Sequence, residues 1–243
     1  MARDAKAAIK RLVKRVSMVP GGLLRASGVR ILTYHSVGYR EHDMNVTPEV
    51  FREQMEWLAA HYTVVPLDAA ADAAEGVALT FDDGFQDNLL NAAPVLRRLN
   101  LAATFFVVSG RAGMVLREGD DPATSRLMNW EEVRALEAMG FDIGAHTLTH
   151  PRLSQLDEDG QRQEILEGAR LLTERLGHDV ALFAYPFGSA ADYNELSARL
   201  AREAGFRFAV SNRYGVNGPA RDRWALRRTQ RVIGLFQAIR FGG

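Results

Sequence analysis

The chain has 243 residues, of which 47% are apolar and 25% are charged, and its 30 basic side chains balance its 30 acidic ones. This composition is typical of a globular protein with one large or two small domains, and a net charge of zero gives no indication of nucleic-acid binding. Because the chain contains no cysteine, disulfides and thiolate metal sites are excluded.

The first 29 residues form a basic segment, which we separate from a domain of residues 30–243. Four apolar side chains in this segment recur at the spacing of one helical face: Ile9, Leu12, Val13 and Val16. Such a helix would either bind an anionic membrane surface through residues 3–18 or dock against the domain; the segment could also be a loose tail. The sequence has neither an apolar run long enough to span a membrane nor the apolar core of a signal peptide. We therefore expect a cytoplasmic protein, or one that is peripheral at the inner membrane.

After the basic segment, short apolar runs alternate with helical patterns. Such runs are typical of parallel strands that are covered on both faces. The predicted strands are residues 30–35, 62–67, 77–82, 103–108, 141–146, 180–185, 206–210 and a less regular one at 226–233. The predicted helices are residues 48–61, 88–99, 130–140, 156–176 and 192–205. Seven or eight such units favour an α/β fold with a closed or nearly closed barrel, whose site lies at the carboxyl ends of the strands.

One stretch, residues 109–126, interrupts this alternation. Its glycine and acidic content predicts a long loop. The loop either covers the site or is a plain insertion.

Two adjacent carboxylates, Asp82 and Asp83, follow the apolar strand at 77–82 and precede Gly84. The turn at the glycine can aim both side chains into one pocket, where paired carboxylates require a cation or a shared proton. The same tripeptide is common in surface turns. The apolar strand residues that precede the pair favour a buried pocket over a surface turn.

Two histidines, His146 and His150, lie four residues apart directly after the strand at 141–146. This spacing can direct both imidazoles at one ion, although the spacing alone is a weak indication. Combined with a strand-end carboxylate, two histidines leave coordination positions open for water and substrate, as a catalytic metal site needs.

A third strand end runs into Tyr185, Pro186, Phe187 and Gly188. The proline and the glycine force a turn whose backbone amides and aromatic rings can face the strand ends. The alternative is an ordinary strand-to-helix turn.

These three strand ends resemble the first three motifs of the polysaccharide deacetylases, which carry the NodB-homology domain and form carbohydrate esterase family 4. The matching segments are TFDDG (80–84), HTLTH (146–150) and FAYPFG (183–188), and the resemblance extends from about Ile31 to Val232. It implies a deformed (β/α)7-type barrel and a metal-dependent hydrolase that removes N-linked or O-linked acetyl groups.

The resemblance also implies roles for individual residues. Asp83, His146 and His150 would bind a divalent metal, most often Zn²⁺, with Co²⁺ or Ni²⁺ as alternatives. Asp82 would be the general base. One amide of the Tyr185–Gly188 turn would bind the oxyanion, and we predict Tyr185, Pro186 and Phe187 as substrate-binding residues.

The chain departs from the family pattern in its general acid. The family usually has a histidine near the end of the domain, whereas this chain has none after His178. The early Tyr34-His35 pair is similar to one in the poly-N-acetylglucosamine deacetylase-like subgroup, so we predict His35 as the general acid. The first strand of a closed barrel can take the place of the last. The alternative is a hydrogen-bonded core histidine. The remaining histidines are predicted to lie at the surface: His42, His61 and His178.

A second departure concerns the arginine that tethers the base in many family members, since Ala184 stands at that position. Arg228 is our candidate for this tether, with an ordinary surface arginine as the alternative. If residues 226–233 form a strand, Arg227 points to the opposite face.

Trp130 begins a predicted helix. It either forms a wall of the sugar or acetyl pocket or anchors the start of the helix. For the segment Asp222–Trp224, the sequence does not decide between a functional and a structural role.

The sequence therefore predicts a hydrolase that removes acetyl groups from N-acetylated amino sugars in a polysaccharide or its precursor, as in exopolysaccharide biosynthesis. One alternative is a deacylase of a lipid-linked oligosaccharide or an O-acylated sugar. Another is a non-catalytic carbohydrate-binding protein on the same fold. The presence of both carboxylates and both histidines of the motifs argues against the last.

Overall fold

A computed structural model describes residues 28–40, 44–219 and 221–229. The predicted helix around Ile9–Val16, the proposed membrane contact of residues 3–18, and His42 lie outside these described residues. The domain boundary at residue 30 therefore stays a prediction. Within the described ranges, no helix is long and apolar enough to cross a membrane.

Nine strands are present in the described part of the chain. In chain order they are β1 Gly28–Tyr34, β2 Ser36–Val37, β3 Asn45–Val46, β4 Glu75–Phe81, β5 Thr104–Val107, β6 Asp142–Ala145, β7 Leu182–Ala184, β8 Phe208–Val210 and β9 Arg228–Thr229. Seven of them form one parallel sheet in the order β8-β7-β6-β5-β4-β1-β9, and β2 pairs separately with β3.

The two edges of the large sheet meet. Strand β9 pairs with β1 at one edge, and Leu226, just before β9, forms a parallel bridge with Val210 of β8 at the other. The N–H of Ser211 also donates to the carbonyl of Leu226 at 2.8 Å. The result is a nearly closed barrel of seven parallel strands, which confirms the predicted fold class.

Side chains alternate between the two faces of this barrel, because successive strand residues point in opposite directions. The interior core is built from the strands and from the residue that closes them: Val29, Ile31, Ala78, Phe106, Leu182, Ala184, Phe208, Val210 and Leu226. The residues between them, such as Leu32 and Phe183, pack outward in the larger core beneath the helices.

The helices cover the outside of the barrel. They are α1 Pro48–His61, α2 Ala93–Arg98, α3 Pro122–Ser125, α4 Trp130–Ala138, α5 Glu158–Arg162, α6 Gly168–Leu176 and α7 Glu195–Glu203. Helix α1 begins as predicted after Thr47, whose side chain accepts from the Val50 amide, and it buries Phe51, Met55 and Leu58. The helical stretches predicted at 88–99 and 156–176 each include one π-helical turn, Asn88–Ala92 and Gln163–Glu167.

The predicted strand at residues 62–67 is wrong. Val64 makes a single parallel bridge with Val77, and the chain then enters a 3₁₀ turn at Leu67–Ala69. Pro66 has no N–H to donate to a neighbouring strand, so the pairing ends there. The seventh strand of the barrel is β9, which lies within the strand predicted at 226–233; residues 230–233 of that prediction lie outside the described residues.

Candidate active site

The three predicted strand-end motifs meet at the carboxyl end of the barrel. The Asp83 Oδ1 atom lies 3.2 Å from His150 Nε2 and 3.5 Å from His146 Nε2. One ligand atom from each of these three residues falls within 4.8 Å of the other two. The arrangement could hold one metal ion.

The hydrogen bonds around this cluster fit a cation. The Nδ1 atom of His146 lies 2.7 Å from the carbonyl oxygen of Ala184, so Nδ1 carries the proton and donates it there. The Nε2 atom then faces Asp83 with a lone pair. The Oδ1 atom of Asp83 is buried and has no hydrogen-bond donor in the described part of the chain other than these histidine rings. Lone pairs that converge in a buried pocket require a positive charge between them.

The electrostatics of the same residues agree with this reading. Burial alone would raise the pKa of Asp83, but the nearby rings of His146 and His150 outweigh it and hold that pKa well below its usual range. Burial would lower the pKa of His146, but the neighbouring carboxylates outweigh it and raise that pKa. The carboxylates of the site therefore favour positive charge next to them, as a cation-binding cluster needs.

The backbone at this cluster is held in an uncommon conformation. Five described residues other than glycine have a positive φ, and four of them lie in the three motif loops: Asp83 at 73°, Thr147 at 64°, His150 at 69° and Phe187 at 60°. Such values cost free energy and are typical of functional sites, where surrounding contacts enforce them.

Glu164 supplies the contacts for the histidine loop. Its carboxylate accepts hydrogen bonds from the amide of Thr149 at 2.8 Å and from its hydroxyl at 2.6 Å, and its carbonyl accepts from the Leu148 amide at 3.0 Å. Glu164 is buried within the π-helical turn Gln163–Glu167. Sequence reasoning missed this residue, because its partners belong to a loop fifteen positions away.

Arg228 and Asp82 form a bidentate ion pair. The two guanidinium nitrogens Nη1 and Nη2 each lie 2.7 Å from one carboxylate oxygen, and both side chains are almost fully buried. The Nε atom of Arg228 donates to the carbonyl of Ser211 at 3.1 Å. Burial would raise the pKa of Asp82, but the charges of Arg228 and His146 outweigh it and lower that pKa. The side chain of Arg227 lies elsewhere, against Gly215.

His35 follows β1 and continues the series of β1 residues that face the barrel interior. The amide of Asp82 donates to the carbonyl of Tyr34 at 2.9 Å, so the segment carrying His35 lies beside the segment carrying the carboxylate pair. Burial lowers the pKa of His35, against the opposing charges of Asp83 and Asp82. His35 also lines a cleft together with Asp83.

The helical turn after the carboxylate pair fixes this segment. The Nδ2 atom of Asn88 donates to the carbonyl of His35 at 2.7 Å and to Asp87 Oδ1 at 3.0 Å. The carboxylate of Asp87 also accepts from the Ser36 hydroxyl. Asn91 Nδ2 donates to the carbonyl of Val37 at 2.7 Å. Sequence reasoning missed these three helical residues as well.

The ring of Tyr185 does not lie where the sequence predicted. It is fully buried in the outer core, stacks on Tyr193 at 4.0 Å between ring centroids, and donates its hydroxyl proton to the carbonyl of Trp224 at 2.9 Å. Ala184 faces the interior, so its neighbour Tyr185 faces outward. This placement argues against contact between the Tyr185 side chain and a substrate.

Phe187 lies at the site. Its ring centroid is 4.9 Å from that of His150, and the guanidinium carbon of Arg152 lies 4.0 Å from the centroid of the Phe187 ring. Pro186 is buried at the start of the turn. The amides of Tyr185 and Gly188 donate to other carbonyls, whereas the Phe187 amide has no hydrogen-bond partner in the described part of the chain.

Trp130 occupies the first position of α4, directly after the capping residue Asn129. Its half-buried ring packs on the outer core, and the guanidinium carbon of Arg175 lies 5.7 Å from the ring centroid. These contacts favour the helix-anchor alternative over the pocket-wall role. Trp224 of the other undecided segment also makes a structural contact, since its Nε1 donates to the Phe206 carbonyl at 3.3 Å. His61 and His178 are exposed, as predicted.

The loop at residues 109–126 lies beside the cluster. Leu116 packs with Phe85 in a small buried core, and both line the same cleft as His35 and Asp83. Of the two alternatives from the sequence, this placement favours a loop that covers the site.

Comparison with known proteins agrees with this architecture. The family model described as polysaccharide deacetylase matches residues 70–209, more than half of the chain. The chain therefore belongs to the polysaccharide deacetylase family and is an enzyme of that family.

Among curated proteins, the chain is 25% identical over 214 residues to YxkH of Bacillus subtilis, which carries polysaccharide deacetylase as a provisional name; the match covers 84% of this chain and 72% of YxkH. It is 31% identical over 116 residues to the peptidoglycan-N-acetylglucosamine deacetylase of Bacillus cereus, covering 46% of this chain and 36% of that protein. Among solved structures, IcaB from Ammonifex degensii superimposes with a TM-score of 0.76 at 25% identity, over 88% of this chain and 97% of IcaB.

Proposed function

We propose that this enzyme is a metal-dependent deacetylase that hydrolyses the N-acetyl group of amino sugars in a polysaccharide or its precursor. One observation carries the proposal. A carboxylate held at both oxygens by a buried arginine, Asp82 with Arg228, lies next in the chain to Asp83, which converges with two imidazoles on one point.

Asp83, His146 and His150 would hold the metal, and we propose Zn²⁺, since one carboxylate and two imidazoles suit this ion and leave positions open. When bound, such a cation polarises an acyl carbonyl and makes a water molecule more acidic. The Nδ1 hydrogen bond from His146 to the carbonyl of Ala184 fixes the tautomer that this ligand set needs.

Asp82 acts as the general base. Because its pKa is lowered, it is ionised at neutral pH and can accept the proton of the attacking water. Arg228 contacts both carboxylate oxygens and so fixes the orientation of the base. An ionised, oriented carboxylate beside a cation-binding cluster has little use in a protein that only binds carbohydrate, which disfavours that alternative.

The amide of Phe187 stabilises the oxyanion. A backbone donor without an intramolecular partner is available to the negative charge that develops on the acetyl oxygen, and its position is fixed before the reaction. The neighbouring amides of Tyr185 and Gly188 are already engaged, so Phe187 is the donor that this turn offers.

His35 gives a proton to the leaving amine. The segment that carries His35 lies beside the carboxylate pair, and His35 lines the same cleft as Asp83, so its imidazole is placed to act as the general acid. Asn88 is a positioning residue for this step, since it holds the carbonyl of His35.

The proposal is tested by incubating the purified enzyme with short N-acetylglucosamine oligomers and measuring acetate and free amine separately. The enzyme is first stripped of metal and then restored with Zn²⁺, Co²⁺ or Ni²⁺. We expect acetate and amine in equal amounts, only in the restored samples. Asp82→Asn should abolish both, whereas the exposed Asp72→Asn, which alters a surface pair with Arg223, should retain them. If an O-acetylated sugar releases acetate while the oligomers release no amine, the O-deacylase alternative is favoured. No release from the oligomers or from the O-acetylated sugar would refute the proposal.

A further inference from the structure

A cleft of about 410 Å³, which includes space open to solvent, lies beside His35 and Asp83. Arg40, Phe85 and Arg117 also line it, and the last belongs to the covering loop. Two positively charged side chains therefore face the space next to the proposed reaction centre.

Arg40 lies against an aromatic ring and forms no ion pair with a carboxylate of the described ranges. The carbon of its guanidinium lies 4.7 Å from the centroid of the Phe85 ring, a cation–π distance. Its Nη1 atom is buried and has no hydrogen-bond partner within the described ranges. Buried charged donors are normally paired, because an unpaired one loses its hydration without compensation.

Two acidic groups of the described ranges near Arg40, Asp87 and Asp120, accept hydrogen bonds from other donors. The positive charge of Arg40 acts on Asp87, but the carboxylate of Asp87 accepts hydrogen bonds from Ser36 and Asn88. Asp120 also lines the cleft, and its Oδ2 atom accepts from the backbone amide of Arg117 at 3.2 Å. Asp120 would repel an anion, but it lies on the half-exposed loop side, where water screens its charge.

We propose that this cleft binds an anionic group, a carboxylate or a phosphate, carried by the acetylated amino sugar or by the unit joined to it. This inference rests on the proposed function and names the substrate class of the same site. A sugar hydroxyl could accept one hydrogen bond from Arg40, but only an anion also compensates the guanidinium charge. The fork of donors on arginine matches the paired oxygens of either anion.

Two chemical sources deliver such a group. A carboxylate is present where the polymer contains an acidic sugar, or a sugar that carries an acid joined through an ether bond. A phosphate comes with a sugar phosphate or with the diphosphate of a lipid-linked precursor. The contacts of Arg40 are the same in both cases, so the choice between them is made by experiment.

The test compares three small substrates on the zinc-loaded full-length enzyme. They are the methyl glycoside of N-acetylglucosamine, which is neutral, the methyl glycoside of N-acetylmuramic acid, which carries a carboxylate, and N-acetylglucosamine 1-phosphate. Each is assayed with the wild type, with Arg40→Gln, and with Arg98→Gln. The control removes a positive charge from an exposed pair with Glu56.

We expect kcat/KM for at least one charged substrate to exceed that for the neutral glycoside by roughly ten- to a hundred-fold, the effect of a charge-assisted hydrogen bond. Arg40→Gln should remove most of this preference through KM, and Arg98→Gln should keep it. The preference should also fall as salt is added. Equal kcat/KM for all three substrates, or an equal loss for all three in Arg40→Gln, would overturn the inference.

Calorimetry separates this inference from the proposed function. If no substrate is turned over, the deacetylase proposal fails for these sugars, and binding alone decides the anion site. Tighter binding of a charged compound that is lost in Arg40→Gln upholds the site. Equal binding of charged and neutral compounds, or no binding of any, overturns it.

Discussion

Replacing Arg228 by methionine should separate the structural and catalytic consequences of the buried ion pair. The side chains of Arg228 and Asp82 are 0% and 1% exposed, and two hydrogen bonds of 2.7 Å join them. Removing one partner leaves the other charge buried and uncompensated, which costs about 3–5 kcal/mol of unfolding free energy. For a chain of this size, the melting temperature should fall by roughly 6–20 °C.

A double-mutant cycle with thermal unfolding as the assay tests this reasoning. Asp82→Asn combined with Arg228→Met removes both charges, so the double variant should be more stable than Arg228→Met alone. Arg227→Met is the matched control, because its side chain lies against Gly215 and not in the pair. It should melt close to the wild type.

Activity provides the second readout. Arg228→Lys keeps a positive charge but cannot contact both carboxylate oxygens in the same plane. It should therefore retain more stability than Arg228→Met while still losing kcat. If Arg228→Met melts with the wild type and keeps its kcat, the pair neither stabilises the barrel nor orients the base, and the reasoning is refuted.

Three further predictions concern the contacts that sequence reasoning missed. Asn88→Ala removes the donor to the His35 carbonyl, so kcat should fall and the alkaline limb of its pH profile, which reports the general acid, should shift, while zinc affinity, measured by calorimetry, stays near the wild-type value. Glu164→Gln weakens the two bonds to Thr149 that hold the histidine loop, so zinc affinity should fall by roughly ten- to a hundred-fold; unchanged affinity would contradict the role of Glu164. Burial raises the pKa of Asp87, so its stabilising contribution is present below its unfolded pKa of about 3.9 and is lost as pH rises through the folded pKa. In Asp87→Asn this loss is absent, so the variant should gain stability relative to the wild type over that pH window, as measured by urea unfolding. A difference in unfolding free energy between the two proteins that stays constant with pH would refute the raised pKa of Asp87.

The meeting of Asp83, His146 and His150 was predictable because parallel strands bring their carboxyl ends to one edge of the barrel. The carboxylate pair and the two histidines each follow an apolar strand, and the structure brings one oxygen and two nitrogens within 4.8 Å. The contact of Arg228 with the base was predicted from a gap in the family pattern at Ala184 and from the place of Arg228 at the last predicted strand.

The direction of Tyr185 was missed because both faces of a covered barrel are apolar, so hydrophobicity does not tell inside from outside. A signal was present in residue size. Gly144 lies in the interior, where an added Cβ would come within 2.4 Å of Phe106, and the small Ala184 faces the same core. Small residues on alternate positions mark the crowded interior, which places Tyr185 on the outer face.

Glu164 and Asn88 could not be found from the sequence. Their hydrogen bonds go to the backbone of loops that are remote in the chain, as with Asn88 and His35, 53 positions apart. No local pattern identifies such partners. The prediction of a strand at 62–67 was wrong for a different reason. It relied on the apolar run and gave too little weight to Pro66, which cannot donate a hydrogen bond to a neighbouring strand.

The most direct test of a single catalytic metal is the rate of acetate release as Zn²⁺ is added to stripped enzyme, from none to two ions per chain. We expect no release without zinc, a linear rise as zinc is added, and a plateau at one ion per chain. Asp83→Asn should need far more zinc to reach any rate. Full activity in the stripped enzyme, or a rate that keeps rising past one ion, would contradict the one-metal site formed by Asp83, His146 and His150.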